Sequence, residues 1–359
     1  MKIAIGYKLK DSSYGGGNQF VRYLVNEAKK RDFQIVFNLD DKDIDIILMV
    51  DPRTYNEDIT FGSLEILWYL LFVNKKAIAV HRINECDERK KTRHMNFFLR
   101  LSNYSVDYTI FISKWLKTLS VYEKNKPSSV ILNGGDSSIF KVKGNSLWDA
   151  SIPLKIVTHH WSSNFMKGFD VYKELDNLLT KPRWFKKIEF TYIGNLPNGF
   201  KFKKTKHLEP INGKKLGKEL AKHHIYISAS LNEPAGMHHI EGILCGLPII
   251  YRNSGALPEY CSKYGIAFEN NNFLPALKKM MDEYSFYKKI ISKYPNNSLK
   301  MTDEYLDLFS SLIKERSSIV KNRNLLRSPL KLIMNYIFIF MKFKNIIKYF
   351  LKKITRKTK

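Results

Sequence analysis

Cysteine is scarce in this chain of 359 residues, which contains only Cys86, Cys245 and Cys261. An odd number of cysteines without paired spacing argues against a disulfide framework and a zinc site, and it favours a reducing compartment. The first residues lack the apolar segment of a signal peptide, so they are predicted to form a strand and a loop of a cytoplasmic protein. Internal repeats and low-complexity segments are also missing from the sequence.

Acidic residues are absent from residues 321–359, which hold twelve Lys or Arg and so almost half of the net charge of +26. The apolar run at 332–341 is interrupted by Asn335 and is too short for a bilayer, which takes about 20 apolar residues to span. When this segment is arranged on a helix, its polar side chains, with the exception of Lys344, share one sector of the helix surface. The residues that share the polar sector are Lys331, Asn335, Lys342, Asn345, Lys352 and Lys353.

A basic amphipathic helix of this kind is typical of the membrane interface, where each Lys near an anionic surface contributes about 1 kcal/mol. Residues 316–359 are therefore predicted to be a tail that binds an anionic membrane surface, on the inner face of the cell membrane. The alternative is a terminal helix that packs on its own protein or on a second subunit. Because the basic residues belong to no recognisable nucleic-acid module, we expect no nucleic acid partner.

Short runs of β-branched residues alternate with helical patterns, which is typical of βα units on a parallel sheet. In the first half, strands are predicted to begin at Lys2, Phe33, Ile44, Lys76, Tyr108 and Ser129. In the second half they are predicted to begin at Leu154, Ile188, Ile225 and Leu247. The pattern predicts an α/β protein made of two Rossmann-like domains that face a central cleft. The predicted segments are a first domain at 1–142, a linker at 143–153, a second domain at 154–315 and the tail at 316–359.

Two carboxylates bracket a turn and a helix start in the stretch NEPAGMHHIEGILCG at 232–246. A strand is predicted to end before Glu233, and a helix to begin at Gly236 or Met237. A helix N-terminus offers free backbone N–H groups and a positive dipole end, which suit a phosphate, and Gly236 allows a close approach. By composition alone, Glu233 fits a capping or loop acid and Glu241 a solvated helix residue better than a binding role.

The same stretch resembles the retaining glycosyltransferases of family 4, two-domain enzymes of the GT-B fold with two Glu residues separated by seven others. The resemblance implies that Glu233 contacts the donor sugar and that Glu241 contacts the nucleotide ribose. It also implies that the backbone N–H groups of Gly236 and Met237 bind the donor diphosphate. The stretch NSGALPEY at 253–260 resembles the next turn of the family, with Ala256 where a second Gly is common.

Three more segments resemble the family in order and spacing, so that the resemblance covers roughly residues 1–315. The stretch VILNGGDSSIF places Asn133 and Asp136 at the end of the first domain. The stretch FMKGFDVYKEL implies that Lys167 neutralises the donor diphosphate. In YGGGNQFVRYL, the resemblance implies that Gly16 and Gly17 let a donor phosphate or the acceptor approach; by itself a Gly triplet is only a flexible turn.

The segment IVTHHWSSNFMKG lacks the Arg that most family members place before the diphosphate Lys. The resemblance leaves His159, His160 or Ser162 for that task, and a neutral His gives one hydrogen bond where Arg gives a charged fork. The alternative is that His159 and His160 only form the polar end of a strand and do not contact the donor. Of His238 and His239, one is expected to face the cleft and the other to pack or to be solvated.

His81 follows the strand KAIAV, and the family often has a His there that bonds a hydroxyl group of the donor sugar. The resemblance therefore assigns His81 to the donor sugar, while Asn84, Glu85 and Asp87 are polar enough to line the acceptor side. An ordinary polar loop is the alternative. Together with Glu233 and Lys167, His81 completes the residues expected to act in catalysis.

The resemblance implies a retaining hexosyltransferase that moves a sugar from a nucleotide-diphosphate sugar to a hydroxyl group. No Asp-x-Asp motif is placed to hold a metal against a diphosphate, so we expect no cofactor and no essential metal. The basic tail favours a lipid-linked saccharide acceptor, as in bacterial capsule, O-antigen or lipopolysaccharide biosynthesis. The alternatives are an inverting transferase or nucleotide-sugar epimerase of the same fold, and a non-enzymatic membrane or nucleic-acid adaptor.

Overall fold

The computed structural model describes residues 1–10, 15–141 and 147–341, and within them the chain forms two six-stranded parallel sheets. The strands of the first sheet are β1 (Lys2–Ile5), β2 (Gln34–Val36), β3 (Ile46–Met49), β4 (Ile78–Ile83), β5 (Tyr108–Phe111) and β6 (Ser128–Val130). Those of the second are β7 (Leu154–His160), β8 (Ile188–Gly194), β9 (Lys206–Leu208), β10 (Ile225–Ser228), β11 (Ile249–Arg252) and β12 (Gly265–Phe268). Their spatial orders are β2-β1-β3-β4-β5-β6 and β12-β11-β10-β7-β8-β9.

Helices connect the strands and cover both faces of each sheet. The helices of the first domain are α1 (Gly16–Lys30), α2 (Ser63–Trp68, continued by a π-helical turn at Tyr69–Val73) and α3 (Met95–Ser102). Those of the second are α4 (Phe169–Leu178), α5 (Pro182–Phe185), α6 (Gly213–Leu220), α7 (Met237–Leu244), α8 (Leu257–Cys261), α9 (Leu274–Asp282) and α10 (Tyr284–Ile290). The chain continues with α11 (Ser298–Lys314), α12 (Arg316–Asn322) and α13 (Pro329–Asn335). Short 3-10 turns lie at Asn103–Ser105, Trp115–Thr118, Phe165–Lys167 and Ile291–Lys293.

The predicted architecture of two Rossmann-like domains is confirmed, because each predicted strand start lies within two residues of an observed strand. The central strands are continuous apolar runs, as β3 shows, since helices cover both faces of a parallel sheet. Two strands were not predicted, β9 and β12, and both lie at the edges of the second sheet. The linker falls partly outside the described residues, and its residues 147–153 are neither helix nor strand.

Side chains on β4 alternate between the two faces of the first sheet. Val80 packs in the cluster formed with α1 and α11, whereas Ala79 packs in the cluster formed with α2. By the same alternation, Arg82 lies on the α1 side and its neighbour His81 lies on the opposite side. This one-residue difference decides which of the two reaches the cleft between the domains.

The chain returns to the first domain after α10. Asn297 forms a parallel bridge with Gly135, and α11 then packs along α1, with the rings of Tyr305 and Phe20 4.9 Å apart. Met301, Leu306 and Phe309 of α11 are buried in the core of the first domain. The predicted second domain, which ends at residue 315, therefore includes a helix that the structure packs onto the first domain.

The described part of the predicted tail, residues 316–341, lies against the first domain. Arg323 pairs with Asp107 at 2.7 Å, with both side chains buried. Asn335, which we placed in the polar sector, is fully buried and hydrogen-bonded to Ser63 at the start of α2. Because Asn335 has this internal partner, the exposed face carries apolar side chains such as Leu330 and Ile333.

Lys342 and the following residues of the tail lie outside the described residues. Among residues 1–10, 15–141 and 147–341, no helix combines the length and the hydropathy that crossing a membrane requires.

Candidate active site

A cavity of about 220 Å³ lies between the two domains, at the carboxyl ends of strands from both sheets. The start of α1, the end of β4 and the loop after it form the first-domain wall. The end of β7, the turn at Phe165–Lys167 and the start of α7 form the second-domain wall. Nine of the ten residues that the sequence proposed as site residues line this cavity, namely Gly16, Gly17, His159, His160, Lys167, Glu233, Gly236, Met237 and Glu241.

The backbone around Glu233 is fixed by the turn at 253–256. Gly255 has a φ of +62°, and a Cβ atom there would lie 2.5 Å from the backbone nitrogen of Glu233. The backbone N–H of Ala256 donates to the carbonyl oxygen of Glu233 at 2.8 Å. This close packing holds Glu233 at the carboxyl end of β10, where its side chain is 2% exposed.

Lys167 is positioned by a similarly close contact. The next residue, Gly168, has a φ of +102°, and a Cβ atom there would lie 2.4 Å from that of Ala229. Asn164 caps the turn by accepting a hydrogen bond from the backbone N–H of Met166 at 2.9 Å. The turn therefore sits directly on the end of β10, and the Lys167 ammonium group forms an ion pair with the Glu233 carboxylate.

The charge state of this buried pair follows from its neighbours. Burial by itself would raise the pKa of Glu233, but the positive charges of Lys167 and Arg89 overcome that effect and lower it to about 2. Burial lowers the pKa of Lys167, and the attraction of Glu233 opposes this effect. Glu233 is therefore a carboxylate at neutral pH, with a buried cation in direct contact.

The N-terminus of α7 lines the same cavity, and the first N–H groups of a helix have no partner within the helix. Gly236 precedes it in an extended conformation, and a Cβ atom there would lie 2.5 Å from Nδ1 of His238 and 3.1 Å from Cδ of Glu233. Gly16 of the first domain approaches from the opposite wall, since its Cβ atom would lie 3.3 Å from Cγ of Met237. The glycine-rich loop and the helix start are thus brought together across the cleft.

Glu241 and the two strand histidines are occupied by hydrogen bonds. Nε2 of His159 lies 2.8 Å from a carboxylate oxygen of Glu241, and its Nδ1 lies 3.1 Å from the Tyr226 hydroxyl. Nε2 of His160 lies 2.8 Å from the Tyr172 hydroxyl, and burial, together with the charge of Lys167, lowers the pKa of His160 well below its ordinary value. His160 is therefore neutral and does not supply the charge of the missing Arg.

His81 is the predicted site residue that the structure does not place in the cavity. It is fully buried on the other face of β4, with Nδ1 2.7 Å from Oδ1 of Asn103, and burial lowers its pKa to about 4. Arg82 lines the cavity instead, with its guanidinium carbon 4.0 Å from the centre of the Phe20 ring. The assignment of His81 to the donor sugar is therefore corrected, because the strand turns that side chain away from the cleft.

The sequence did not identify Arg89, which lies in the loop after β4. This residue lines the cavity, donates from Nη1 to a carboxylate oxygen of Glu85 at 3.0 Å, and has Nε 3.9 Å from a Glu233 oxygen. The only signal was the charge density of HRINECDERK, which does not report that the loop crosses to the second domain. A second cation beside Glu233 thus comes from the first domain.

Some of the remaining polar residues of the predicted segments line the cavity, and others form hydrogen bonds to the nearby backbone. Asn84 and Ser162 line the cavity. Asp87 accepts hydrogen bonds from the backbone of Met95 and Asn96 at the start of α3. Asp136 accepts one from the backbone of Ser138 at 2.8 Å.

Asn133 connects the walls, because its Nδ2 donates to the carbonyl oxygen of Ala235 at 3.0 Å. His238 lines the cavity with Nε2 2.9 Å from the Ser228 hydroxyl, whereas His239 packs on the Tyr260 ring at 5.1 Å. In the described part of the chain, no group of three or more His, Cys, Asp and Glu side chains is arranged to hold a metal ion.

The sequence matches no family model and no curated protein. Solved structures of similar fold include HepE of Anabaena in complex with UDP, with a TM-score of 0.63 and 12% identity, covering 87% of this chain and 100% of that chain. Sucrose-phosphate synthase of Thermosynechococcus elongatus has a TM-score of 0.61 and 13% identity, covering 87% and 99%. A glycosyltransferase of Rickettsia africae has a TM-score of 0.57 and 14% identity, covering 90% and 99%. At these identities the similarity shows the fold alone, and it confirms the predicted GT-B fold.

Proposed function

We propose that the protein is a glycosyltransferase that moves a sugar from a nucleotide-diphosphate sugar to a hydroxyl group. The observation that carries the proposal is the Lys167–Glu233 ion pair beside the N-terminus of α7 in the cleft between the domains. A cation and free N–H groups suit a leaving diphosphate, and a carboxylate suits sugar hydroxyls. The HepE structures that contain UDP and UDP-glucose have the same fold, which supports the proposal.

Each group has a distinct task in the proposed transfer. Lys167 and the N–H groups of Gly236 and Met237 stabilise the negative charge that develops on the diphosphate as the glycosidic bond breaks. Glu233 accepts hydrogen bonds from the donor sugar, and Glu241 accepts them from the ribose in place of its present partner His159. The sequence resemblance implies a retaining hexosyltransferase, and we expect the reaction to proceed without an essential metal.

For the acceptor we propose a lipid-linked saccharide at an anionic membrane surface, as in bacterial capsule, O-antigen or lipopolysaccharide biosynthesis. Exposed apolar side chains on the first domain support this proposal. Trp68 and Phe72 are 64% and 67% exposed, with their rings 4.5 Å apart, and Phe340 is 72% exposed. Helix α13 contacts α3 and is bonded to α2 through Asn335 and Ser63, so the described start of the tail lies on the same domain as these apolar groups.

The donor is tested by thermal shift with UDP-, GDP-, ADP- and CMP-sugars, followed by a transfer assay with the sugar that stabilises the protein. We expect one nucleotide to raise Tm and the Lys167→Ala variant to weaken its binding about tenfold or more, because a charged hydrogen bond contributes about 1.5–3 kcal/mol. Lys90, an exposed cation in the loop that also carries Arg89, provides the control Lys90→Ala, which should keep the affinity. If no nucleotide stabilises the wild type, the proposal is wrong. Release of epimerised sugar nucleotide without an acceptor would indicate an epimerase instead.

A further inference from the structure

The first-domain wall of the cavity contains a buried guanidinium group that has no carboxylate partner among residues 1–10, 15–141 and 147–341. Arg82 is 2% exposed, and its Nη2 donates to Oδ1 of Asn133 at 2.8 Å while the group stacks over Phe20. Among the residues that the structure describes, no Asp or Glu forms an ion pair with Arg82. Its Nε atom is buried and has no hydrogen-bond partner there.

Other buried arginines of the protein have such a partner. Arg252, also 2% exposed, donates to Asp170 at 2.6 Å, and Arg323 pairs with Asp107 at 2.7 Å. Taking a charge out of water costs several kcal/mol, which an ion pair offsets only if the opposite charge is close. Arg82 has neutral partners in Asn133 and the Phe20 ring, but the described part of the chain offers it no opposite charge to offset this cost, and it lines the cavity.

A second polar atom on the same wall also lacks a partner among the residues described by the structure. Oε1 of Gln19, in the first turn of α1, is buried and accepts no hydrogen bond from the described residues, and Gln19 lines the cavity together with Arg82. A ligand that satisfies both residues brings an anionic oxygen to the guanidinium group and a hydroxyl or other donor to the amide oxygen. A phosphorylated or carboxylated saccharide has both groups.

We propose that Arg82 and Gln19 form a subsite for a phosphate or carboxylate group of the acceptor. The assignment to the acceptor rests on the proposed function, in which Lys167 and the start of α7 hold the donor diphosphate on the second-domain wall. An anion on the opposite wall then belongs to the other substrate. The acceptor class that follows is an acidic or phosphorylated saccharide, which includes a saccharide linked to a lipid through phosphate.

Titration calorimetry of the full chain with inorganic phosphate and pyrophosphate tests the subsite. The titrations are made with the free protein and with the protein saturated by the nucleoside diphosphate that stabilises it. We expect phosphate to bind the saturated wild type, and Arg82→Met to weaken this binding about tenfold or more while nucleoside diphosphate affinity is retained. Lys167→Ala should show the converse, losing the nucleoside diphosphate and keeping the phosphate.

Two results overturn the assignment to the acceptor. Unchanged phosphate affinity in Arg82→Met means that Arg82 binds no anion, and loss of nucleoside diphosphate affinity in that variant means that Arg82 holds the donor. If the wild type binds no nucleoside diphosphate, the proposed function fails, but phosphate binding to the free wild type and Arg82→Met still shows whether the anion subsite exists.

The Tm of two matched variants, measured without ligand, tests whether Arg82 lacks a carboxylate partner. Arg82→Met removes a buried charge that no carboxylate of the described residues balances, so we expect the Tm of the ligand-free protein to stay the same or to rise. Arg323→Met removes a buried charge paired with Asp107, and it should lower Tm because the carboxylate is left unpaired. An equal loss in both variants would show that Arg82 is an ordinary structural residue.

Discussion

At the scale of single residues, the site is a small set of charges held close together out of water. Glu233 is 2% exposed and has Lys167 on one oxygen and Arg89 3.9 Å from the other. Breaking a buried pair by removing one member leaves an uncompensated charge and costs about 3–5 kcal/mol. Changes at these positions should therefore alter both activity and stability, and each must be measured separately.

Replacing Glu233 by Gln tests its proposed contact with the donor sugar. We expect Glu233→Gln to abolish transfer while nucleoside diphosphate binding persists, because the sugar contact is lost and the phosphate groups remain. Full activity in this variant would show that Glu233 does not act at the sugar. Lys167→Ala, measured in parallel, should instead lose nucleotide affinity.

The same variant should change the dependence of stability on pH. The folded-state pKa of Glu233, about 2, lies below its ordinary value of 4.5, so its ionised form stabilises the folded protein fully above pH 4.5. This contribution is lost as the pH falls from 4.5 towards 2, and Glu233→Gln should lack it. The free energy of unfolding of both proteins, measured from pH 6 to 2, should converge on acidification; parallel curves would contradict the lowered pKa.

A glycine is required at position 236 because a side chain would not fit there, and not because of an unusual backbone angle. A Cβ atom would lie 2.5 Å from the His238 ring and 3.1 Å from the Glu233 carboxyl carbon, so Gly236→Ala must displace one of them. We expect about tenfold or greater loss of nucleotide affinity with Tm lowered by only a few degrees. At Gly17, by contrast, a Cβ atom would lie 3.5 Å from the Tyr7 ring, which is ordinary contact, so Gly17→Ala should cost less affinity. Equal losses would indicate that both positions act through loop flexibility.

At the scale of secondary-structure elements, the sequence predicted the central strands and the edge strands β2 and β6, and it missed β9 and β12. Both missed strands are short and lie at sheet edges, where one side of the strand is unpaired. The strand β9 (KHL) is partly exposed and lacks the apolar run that marks a central strand, whereas β12 (GIAF) is largely buried but only four residues long. The sequence signal is therefore strongest where burial on both faces is complete.

The C-terminal segment has two parts, which meet at residue 341, the last described residue. Residues up to 341 are fixed to the first domain by buried Asn335 and Phe338. Residues 342–359 hold eight Lys or Arg and no acid. Removing residues 342–359 should therefore leave the fold intact and reduce binding to anionic vesicles, since each basic residue near such a surface contributes about 1 kcal/mol.

Co-sedimentation with vesicles of anionic and of zwitterionic lipid measures this effect. The truncated protein should bind anionic vesicles at least tenfold more weakly, and an unchanged Tm would show that the first domain is undisturbed. A replacement of Trp68 and Phe72 by Ser in the full chain tests the apolar contribution separately. Undiminished binding after truncation would show that the tail is not the membrane contact.

At the scale of the whole molecule, the two domains are joined by hydrogen bonds directly beside the cavity. The Tyr260 hydroxyl of the second domain accepts from the backbone N–H of Asn133 at 2.8 Å and donates to the carbonyl oxygen of Ile112 at 2.7 Å. Glu259 accepts hydrogen bonds from the backbone N–H groups of Lys114 and Trp115. The turn that holds Glu233 is thus continuous with the contact between the domains.

Removing the Tyr260 hydroxyl should loosen this contact. Tyr260→Phe leaves one buried N–H and one carbonyl group without a partner, which costs about 1–3 kcal/mol for each group. We expect a larger radius of gyration by small-angle X-ray scattering and a raised donor KM, both partly reversed by saturating nucleotide. Tyr264, whose hydroxyl donates to the carbonyl oxygen of Lys293 at 3.3 Å, gives the control Tyr264→Phe. An unchanged radius and KM would show that the hydroxyl does not hold the domains together.

The sequence by itself determined the strands of both sheets except β9 and β12, the turn between Glu233 and Glu241, and the position of Lys167 before a helix. These features are local, because strand and helix patterns and a glycine at a helix start are set by neighbouring residues. Only the tertiary structure decided that Arg82 and not His81 faces the cleft, since a shift of one residue on a strand reverses the side chain. Folding also brought Arg89 to Glu233 and α11 back to the first domain, contacts between distant residues that no local pattern records.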